Sequence, residues 1–333
     1  MKQATVRRIA AETGLSIATV SRALNDQANV APQTRQLVHD AADKLNRRSP
    51  QHRGGAVFVR CPYLLTDYFG LIVSSVAETL ELHGRQMVLN AGEASQHTSV
   101  LPGLGARPEI GGAVIILPPE PESELEALRA RGFPFVVVDP RVRPPRDIVA
   151  VSAAHAAGAR AVTSHLVSLG HRRIGVIAGP PEWLASADRL AGHAAVLAEA
   201  GVLPSPALVR HGEATVDYGH QAAAELLDLE EPPTALVCFN DKAAVGALAT
   251  ARGRGLRVPE DLSIAGFDDI DLASATTPML TTVRQPLQEM GRMAVTLLIR
   301  LLEEHRLDAL HIELATELVV RGSTGPARTD SIP

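Results

Sequence analysis

The sequence predicts a small all-α N-terminal domain followed by an α/β region built as two doubly wound lobes. The chain has 333 residues, which is more than one ordinary domain needs. Its first 48 residues show only helical periodicity, with apolar residues three or four positions apart. From residue 56 onward, short apolar runs alternate with helical segments. That alternation is typical of buried parallel strands covered by helices.

The N-terminal domain is predicted over residues 1–48, with three helices. The first begins at Thr5 and is closed by Gly14, because glycine commonly ends a helix. Ser16 is a favourable N-cap for a second helix over residues 17–24. The third is predicted over residues 32–45. Two short helices joined by a glycine-containing turn fit a helix-turn-helix, although a generic three-helix bundle fits the same spacing equally well.

Charge is distributed unevenly along the chain. Residues 1–60 contain ten Lys or Arg against four Asp or Glu, whereas the remainder contains 22 against 33. A basic end on an acidic body suits a protein that meets nucleic acid at one end only. There is no apolar run long enough to span a bilayer and no signal-peptide core at the start, so we expect a cytoplasmic protein without membrane contact.

Neither an enzyme nor a metalloprotein is expected. Cys61 and Cys238 have no second Cys or His at metal-ligand spacing, which predicts two buried reduced thiols and no metal or cofactor. The sequence contains no phosphate-binding glycine loop and no Gly-x-Ser-x-Gly elbow. Asp268 and Asp269 are adjacent, so their side chains point apart and make a poor acid–base pair.

The α/β region is predicted over residues 56–325. Strands are expected in the first lobe over residues 57–60, 87–90, 113–117 and 135–139, and in the second over residues 174–178, 208–212, 235–240 and 263–268. The lobes are predicted at about 56–147 and 148–275, with crossovers near 141–149 and 276–290, and the C-terminal segment returning to the second lobe. Residues 49–55 form a short linker and residues 326–333 a disordered tail. Such lobes bind ligands beyond the carboxyl ends of their strands, in the cleft.

Four polar residues stand at the predicted cleft. Asp139, Asn240 and Asp268 are the last residues of predicted strands, at their carboxyl ends, and Arg189 lies near the start of a helix. Carboxylates and an amide can pair with neighbouring hydroxyls, and an arginine can span two of them, so this set suits a polyol. Each residue also has an ordinary explanation in capping or turn formation.

The run TVRRIAAETGLSIATVSRALN over residues 5–25 closely resembles the DNA-binding head of the LacI/GalR family. The resemblance implies that base edges are contacted by Ile17, Ala18 and Arg22. It places a second group at or near the phosphates: Ser16, Thr19, Ser21 and Asn25. Thr5 completes the predicted DNA-binding set. Arg22 can pair bidentately with guanine, whereas Ile17 and Ala18 can make only apolar contacts, such as with a thymine methyl.

The resemblance continues through residue 322. It is carried by SADRLAG (186–192), FNDKAAVG (239–246), GFDD (266–269) and LTTVRQP (280–286). It implies a periplasmic-binding-protein-like sensor that acts as a homodimer on palindromic double-stranded operator DNA. Its small-molecule effector, a mono- or oligosaccharide, would be held by Asp139, Arg189, Asn240 and Asp268. Phe69 or Tyr68 would stack on the sugar ring, with Trp183 and Tyr218 as the candidates to replace an aromatic that the family often has where Ala214 stands. The low aromatic content, 3%, argues against a nucleobase.

The junction after the head departs from the family, which usually has a hinge helix with a leucine that wedges into the minor groove. Here Pro50, Gly54 and Gly55 disfavour a helix, and no apolar residue stands between Leu45 and Ala56. We therefore expect this intercalation to be absent or made differently. A repressor is the primary hypothesis. The alternative is a cytoplasmic sugar-sensing interaction protein with weakened DNA binding.

Overall fold

The computed structural model describes residues 6–25, 30–48 and 55–328. The N-terminal domain consists of α1 (Val6–Thr13), α2 (Ile17–Leu24) and α3 (Pro32–Arg48). Their apolar faces share a small core made of Ile9, Ala10, Val20, Ala23, Val38 and Ala41, to which Val30 adds from just before α3. These positions recur at helical spacing, which is why the sequence alone predicted the three helices. The third helix extends three residues beyond its predicted end.

After residue 55 the chain alternates strands and helices. It begins with β1 (Ala56–Cys61), α4 (Asp67–Leu82), β2 (Met87–Ala91), α5 (Leu101–Leu104), β3 (Ile110–Ile116), α6 (Glu122–Ala130), β4 (Phe135–Val138), β5 (Ala150–Ala153) and α7 (His155–Ser168). It continues with β6 (Ile174–Ala178), α8 (Leu184–Glu199), β7 (Val209–His211), α9 (Val216–Leu227), β8 (Ala235–Cys238), α10 (Asp241–Gly253), β9 (Ser263–Ala265) and α11 (Asp271–Ala275). It ends with β10 (Thr282–Arg284), α12 (Leu287–Leu302), β11 (His311–Leu314) and β12 (Glu317–Val319).

Two parallel sheets organise these elements into two lobes. The first sheet has the order β2-β1-β3-β4-β5-β11, and the second has the order β7-β6-β8-β9. An antiparallel pair, β10-β12, accompanies the second sheet. Every residue of β3 and of β6 is buried, because helices cover both faces of each sheet. The predicted fold class, a helical head plus two doubly wound α/β lobes, is confirmed.

The chain crosses between the lobes once inside the predicted 276–290 crossover, directly after β10, and elsewhere at positions that differ from the prediction. It passes after β5, after β10 and again after β11. The predicted crossover near residues 141–149 and the lobe boundary at 147 are misplaced, because β5 pairs with β4 and still belongs to the first sheet. Residues 287–314 also belong to the first lobe, since α12 packs on α4 and β11 pairs with β5. Only the segment from β12 onward returns to the second lobe.

The C-terminal segment is ordered further than predicted. The N–H of Ala327 donates to the carbonyl of Leu169 at 2.8 Å, and Arg328 pairs with Asp261 at 2.8 Å. Residues 326–328 therefore pack on the second lobe, and the rest of the predicted tail lies outside the described residues. The same holds for residues 49–54 of the predicted linker. Over the described ranges, no helix combines the length and the apolar character that crossing a membrane requires.

Arg60 is fully buried at the end of β1 and is not part of the basic head with which its charge was counted. Its guanidinium pairs with the carboxylate of Glu120 and donates to Asn90. It also donates to the carbonyls of Ser95 and Thr98, at 3.0 and 3.2 Å. Arg60 thus holds the 93–98 segment on the first lobe. Because Arg60 does not belong to the head, the positive charge of the head is one unit smaller than the count over residues 1–60 suggests.

The packing of α9 on α10 yields a stability prediction. A Cβ atom on Gly246 would lie 2.1 Å from the carbonyl oxygen of Val216, whereas at Gly253, in the same helix, it would meet nothing within 4 Å. We expect Gly246→Ala to force the helices apart and to lower the free energy of unfolding by about 1–3 kcal/mol. Gly253→Ala should be neutral or slightly stabilising. Urea unfolding measures both, and equal midpoints for the two variants would contradict this packing.

Candidate functional site

A cavity of about 470 Å³ opens between the two lobes. Its volume is in the range of small-molecule sites, and it lies beyond the carboxyl ends of the parallel strands. It is lined by all the predicted effector residues: Phe69, Asp139, Arg189, Asn240 and Asp268. The structure therefore brings the five together, from both lobes. Their roles in binding remain predictions.

Asp139 is a buried carboxylate directly after β4, on a backbone with φ of +50°. Its Oδ2 accepts a hydrogen bond from the Tyr68 hydroxyl at 2.8 Å, and its Oδ1 lies 2.8 Å from Nε2 of His155. Burial raises the pKa of Asp139, but His155, Tyr68 and Arg189 outweigh burial and hold the pKa below its ordinary value. Asp139 is thus an ionised, oriented acceptor, and each of its oxygens keeps lone-pair capacity for a ligand.

The guanidinium of Arg189 is held between two aromatic rings. Its central carbon lies 3.7 Å from the ring centroid of Phe267 and 4.3 Å from that of Phe239. Nη1 donates to the carbonyl of Phe239, and Nη2 lies 3.2 Å from Nδ1 of His155. The rings fix the plane of the fork, and these two contacts occupy only part of its five N–H donors. Arg189 is therefore preorganised to span two acceptors of a ligand.

Asp268 lies after β9 with an unusual backbone φ of +118°. Its Oδ1 accepts from Nε2 of Gln285 at 2.7 Å. Burial raises the pKa of Asp268 to about 7, with Asp139 adding to the effect, although Arg189 and Gln285 oppose it. Burial, and then the charge of Asp268, also raise the pKa of Asp241 well above its ordinary value. More carboxylates than cations line the cavity, and this excess of negative charge opposes folding when all the carboxylates are ionised.

This excess predicts how stability depends on pH. An acid with a raised folded-state pKa takes up a proton on folding, so its contribution lowers the unfolding free energy as pH rises from about 4 to about 7. Asp268→Asn should remove this contribution to the pH dependence of the unfolding free energy. The variant should be more stable than the wild type at pH 8, and the two should be equally stable near pH 4. Asparagine tolerates positive φ and can still accept from Gln285. Urea unfolding at both pH values measures these stabilities, with Asp308→Asn, at an exposed carboxylate, as the control. An Asp268→Asn protein less stable than the wild type at pH 8 would refute the prediction.

Asn240 both caps a helix and lines the cavity. Its Oδ1 accepts from the N–H of Ala243 at 2.9 Å at the start of α10, and its Nδ2 donates to the carbonyl of Ala214 at 3.1 Å. The ordinary capping explanation is therefore correct for Asn240. One amide N–H and one lone pair of the side chain remain beyond these two contacts.

Aromatic residues are concentrated at the cavity. The chain has one Trp, three Tyr and six Phe, and five of these ten line it. Phe69 stacks on Tyr63 with ring centroids 4.4 Å apart, and Tyr68 and Phe69 form a T-shaped pair with centroids 5.1 Å apart. Trp183 and Phe239 contribute from the second lobe. The low overall aromatic content therefore does not count against a ligand that stacks.

Several cavity residues were not in the predicted site. Arg141 of the first lobe lies over the ring of Trp183 at 5.4 Å, and its carbonyl accepts from the N–H of Leu184 at 2.6 Å. Nζ of Lys242 reaches Oγ1 of Thr66 across the cleft at 3.3 Å. Three exposed glutamates also line the cavity: Glu93, Glu182 and Glu213. The sequence carries no local signal for them, because both lobes must fold before they meet.

In the head, α2 exposes the residues that the resemblance implies for base contact. Ile17 is 52% exposed, which is unusual for isoleucine, and Ala18 beside it is also exposed. Arg22 is exposed, and its Nε donates to the carbonyl of Ala18 at 3.1 Å. Its two terminal nitrogens bond to no other described residue. An apolar pair beside an oriented guanidinium fits a helix that reads base edges.

The predicted phosphate-contacting residues surround this face. The hydroxyl of Ser16 accepts from the N–H of Thr19 at 3.1 Å and pairs with the Thr19 hydroxyl at 2.8 Å. Nδ2 of Asn25 donates to the carbonyl of Ser21 at 2.9 Å. Ser16 is therefore the N-cap that the sequence predicted, with its hydroxyl at the surface. Thr5 lies outside the described residues.

No metal centre is formed within the described ranges. They contain no group of three or more His, Cys, Asp or Glu side chains placed to hold an ion. Cys61 and Cys238 are both buried free thiols. Burial raises the pKa of Cys61 to about 12, so this thiol is protonated at neutral pH.

Comparison with known proteins agrees with this arrangement. Residues 5–48 match the model for bacterial regulatory proteins of the lacI family, and residues 163–324 match that for a periplasmic binding protein-like domain. The HTH-type transcriptional repressor CytR of Escherichia coli is 32% identical over 332 residues, and the HTH-type transcriptional regulator MalR of Streptomyces coelicolor is 35% identical over 342 residues, each with 96% of both chains covered.

Solved structures match over nearly the whole chain as well. The transcriptional regulator CelR–cellobiose complex superposes with a TM-score of 0.73 at 30% identity, covering 96% of this chain and 100% of that one. The lac repressor dimer bound to operator and the anti-inducer ONPF superposes with a TM-score of 0.72 at 27% identity, covering 97% and 100%. These relatives are transcriptional regulators and not enzymes. The chain belongs to the LacI family of bacterial transcriptional regulators.

Proposed function

We propose that this regulator is a sequence-specific repressor of the cytoplasm, which binds a palindromic operator as a homodimer and is controlled by an uncharged sugar bound between its lobes. The observation that carries the proposal is the cavity. Oriented donors and acceptors from both lobes converge there beside five aromatic rings. A sugar offers the complementary surface, with adjacent hydroxyls for Asp139 and Arg189 and an apolar ring face for Phe69 or Trp183.

The charges of the cavity favour an uncharged effector over a phosphorylated one. Five carboxylates and three cations line it. The cations are outnumbered, and each has uncharged neighbours: Arg141 lies against Trp183 and Tyr63, Arg189 lies against Phe267, and Lys242 bonds to Thr66. An anionic group would meet uncompensated negative charge. The CelR–cellobiose complex shows that a relative with the same fold binds an uncharged disaccharide.

Two heads are needed for a tight and specific operator complex. One α2 presents only a few base-reading side chains, so two copies on a two-fold symmetric site multiply affinity and extend the sequence read. The lac repressor is seen as a dimer on its operator, and the likeness of this chain to it supports the same assembly here. The effector can regulate only through different affinities for two lobe arrangements, which place the heads differently.

Trp183 makes the sugar hypothesis directly testable. It is the only tryptophan in the chain and it lines the cavity, so its fluorescence reports on ligand binding without a label. We expect titration with a panel of uncharged sugars, including cellobiose and ribose, to give a saturable change for at least one. Glucose 6-phosphate should give none. Trp183→Phe, followed by calorimetry, controls for direct quenching. Failure of every sugar to bind folded protein, or preferential binding of the phosphate, would overturn the proposal.

A further inference from the structure

His155 links the two lobes at the candidate effector site. It is the first residue of α7, immediately after the crossover that follows β5, and it is 5% exposed. One ring nitrogen lies 2.8 Å from Oδ1 of Asp139, in the first lobe, and the other lies 3.2 Å from Nη2 of Arg189, in the second. Its ring is tilted by 42° to that of Phe267, with centroids 6.2 Å apart.

The chemistry of the neighbours fixes the proton on the imidazole. A guanidinium can only donate, so Nδ1 of His155 must accept from Arg189 and carries no proton. The proton is then on Nε2, which donates to the carboxylate of Asp139. The result is a directional chain from Arg189 through His155 to Asp139. The other groups that face this chain are the Tyr68 hydroxyl, which bonds to Asp139, and the carboxylates of Asp268 and Asp241, whose charges act on Arg189.

We propose that His155 is the positioning residue of the effector site, and that it holds Asp139 and Arg189 in register only in this lobe arrangement. Because its two partners belong to different lobes, rotation of one lobe against the other must break or lengthen one of the bonds. An effector that contacts both Asp139 and Arg189 would therefore favour the arrangement in which His155 bridges them. The effector part of this inference rests on the proposed function; the bridge itself does not.

Substitutions at 155 separate positioning from simple space filling. Asparagine can also accept with its oxygen and donate with its nitrogen, so His155→Asn retains the polarity of the bridge over a shorter reach. His155→Leu fills the space but pairs with neither neighbour, and it leaves a buried charge on each side less satisfied. His220→Ala, at an exposed histidine of α9, is the matched control.

The first readout needs no effector. The sample is full-length protein with ¹⁵N-labelled histidine rings, and the signal of His155 is assigned by its loss in His155→Asn. Two-bond ¹H–¹⁵N spectra at pH 7 should show that its Nδ1 is unprotonated and that its Nε2 carries a proton protected from exchange with solvent. That protection should disappear in Asp139→Ala. An imidazole protonated at Nδ1, or one exchanging freely in the folded wild type, would overturn the bridge.

The second readout uses the uncharged sugar that gives the largest Trp183 response. Calorimetry should show its affinity reduced at least 10-fold in His155→Leu, largely restored in His155→Asn and unchanged in His220→Ala. A folded His155→Leu protein that binds as tightly as the wild type would refute a positioning role. If no sugar binds the wild type, the proposed function fails, whereas the spectra still decide whether His155 forms the bridge.

Discussion

Replacing Arg189 by lysine should lower the affinity for the effector sugar about 100-fold, the scale expected when one partner of a buried charge-assisted contact is lost. Lysine keeps the charge but not the planar fork, so it cannot stack between Phe239 and Phe267 or span two hydroxyls. Fluorescence titration of Trp183 measures the affinity. Operator binding without sugar should be retained, because Arg189 lies in the cleft and not in the head.

The matched control for this variant is Arg160→Lys. Arg160 lies on α7 and pairs at the surface with Glu199 at 2.8 Å, so its exchange should change neither sugar binding nor stability by a measurable amount. Far-ultraviolet circular dichroism and the melting temperature establish that Arg189→Lys is folded. Wild-type sugar affinity in folded Arg189→Lys protein would remove Arg189 from the proposed site.

Replacing Arg22 by alanine should remove the preference for one base pair in each half-site, at a loss of about 1–3 kcal/mol in discrimination. The bond from its Nε to the carbonyl of Ala18 orients the guanidinium and leaves two terminal nitrogens for a guanine edge. Affinities for the four base pairs at the contacted position, measured at fixed salt, should converge. Sugar binding should be unaffected.

Arg22→Lys distinguishes base reading from charge. It keeps one cation near the phosphates, so the dependence of affinity on salt should stay close to that of the wild type, while discrimination falls because a single ammonium lacks the bidentate geometry. If Arg22→Ala weakens binding uniformly and leaves base preference intact, Arg22 contacts phosphate and some other residue reads the base.

The sequence predicted those parts of the fold that depend on local periodicity. The head helices and most strands have an apolar pattern that can be recognised from neighbouring residues alone, without knowledge of distant contacts. The lobe assignment failed for β5 and β11, because four-residue strands such as Ala150–Ala153 have little pattern of their own and acquire a lobe only by pairing. Arg60 was predicted in its strand but counted with the charge of the head, because its burial against Glu120, sixty residues away, leaves no local signal.

The sequence predicted those site residues that are polar and also lie at the carboxyl end of a strand. Asp139 directly follows β4, and Asn240 lies two residues after β8. The carboxyl ends of parallel strands meet at one edge, so the proximity of these residues follows from the fold class. His155 gave no such signal, because a lone histidine at a helix start usually has an ordinary structural role. Its two partners come together only when the lobes meet. The same is true of Arg141, whose contact with Trp183 joins loops of different lobes.

The central claim is that a sugar in the cleft controls sequence-specific DNA binding by the head. The most direct test is selection of genomic fragments by purified full-length protein at fixed salt, repeated with and without each sugar that binds at Trp183. The account predicts enrichment of one palindromic site, and a change in that enrichment with a single uncharged sugar. Folded protein that enriches no site under any of these conditions would contradict it and would favour a sugar-sensing interaction protein.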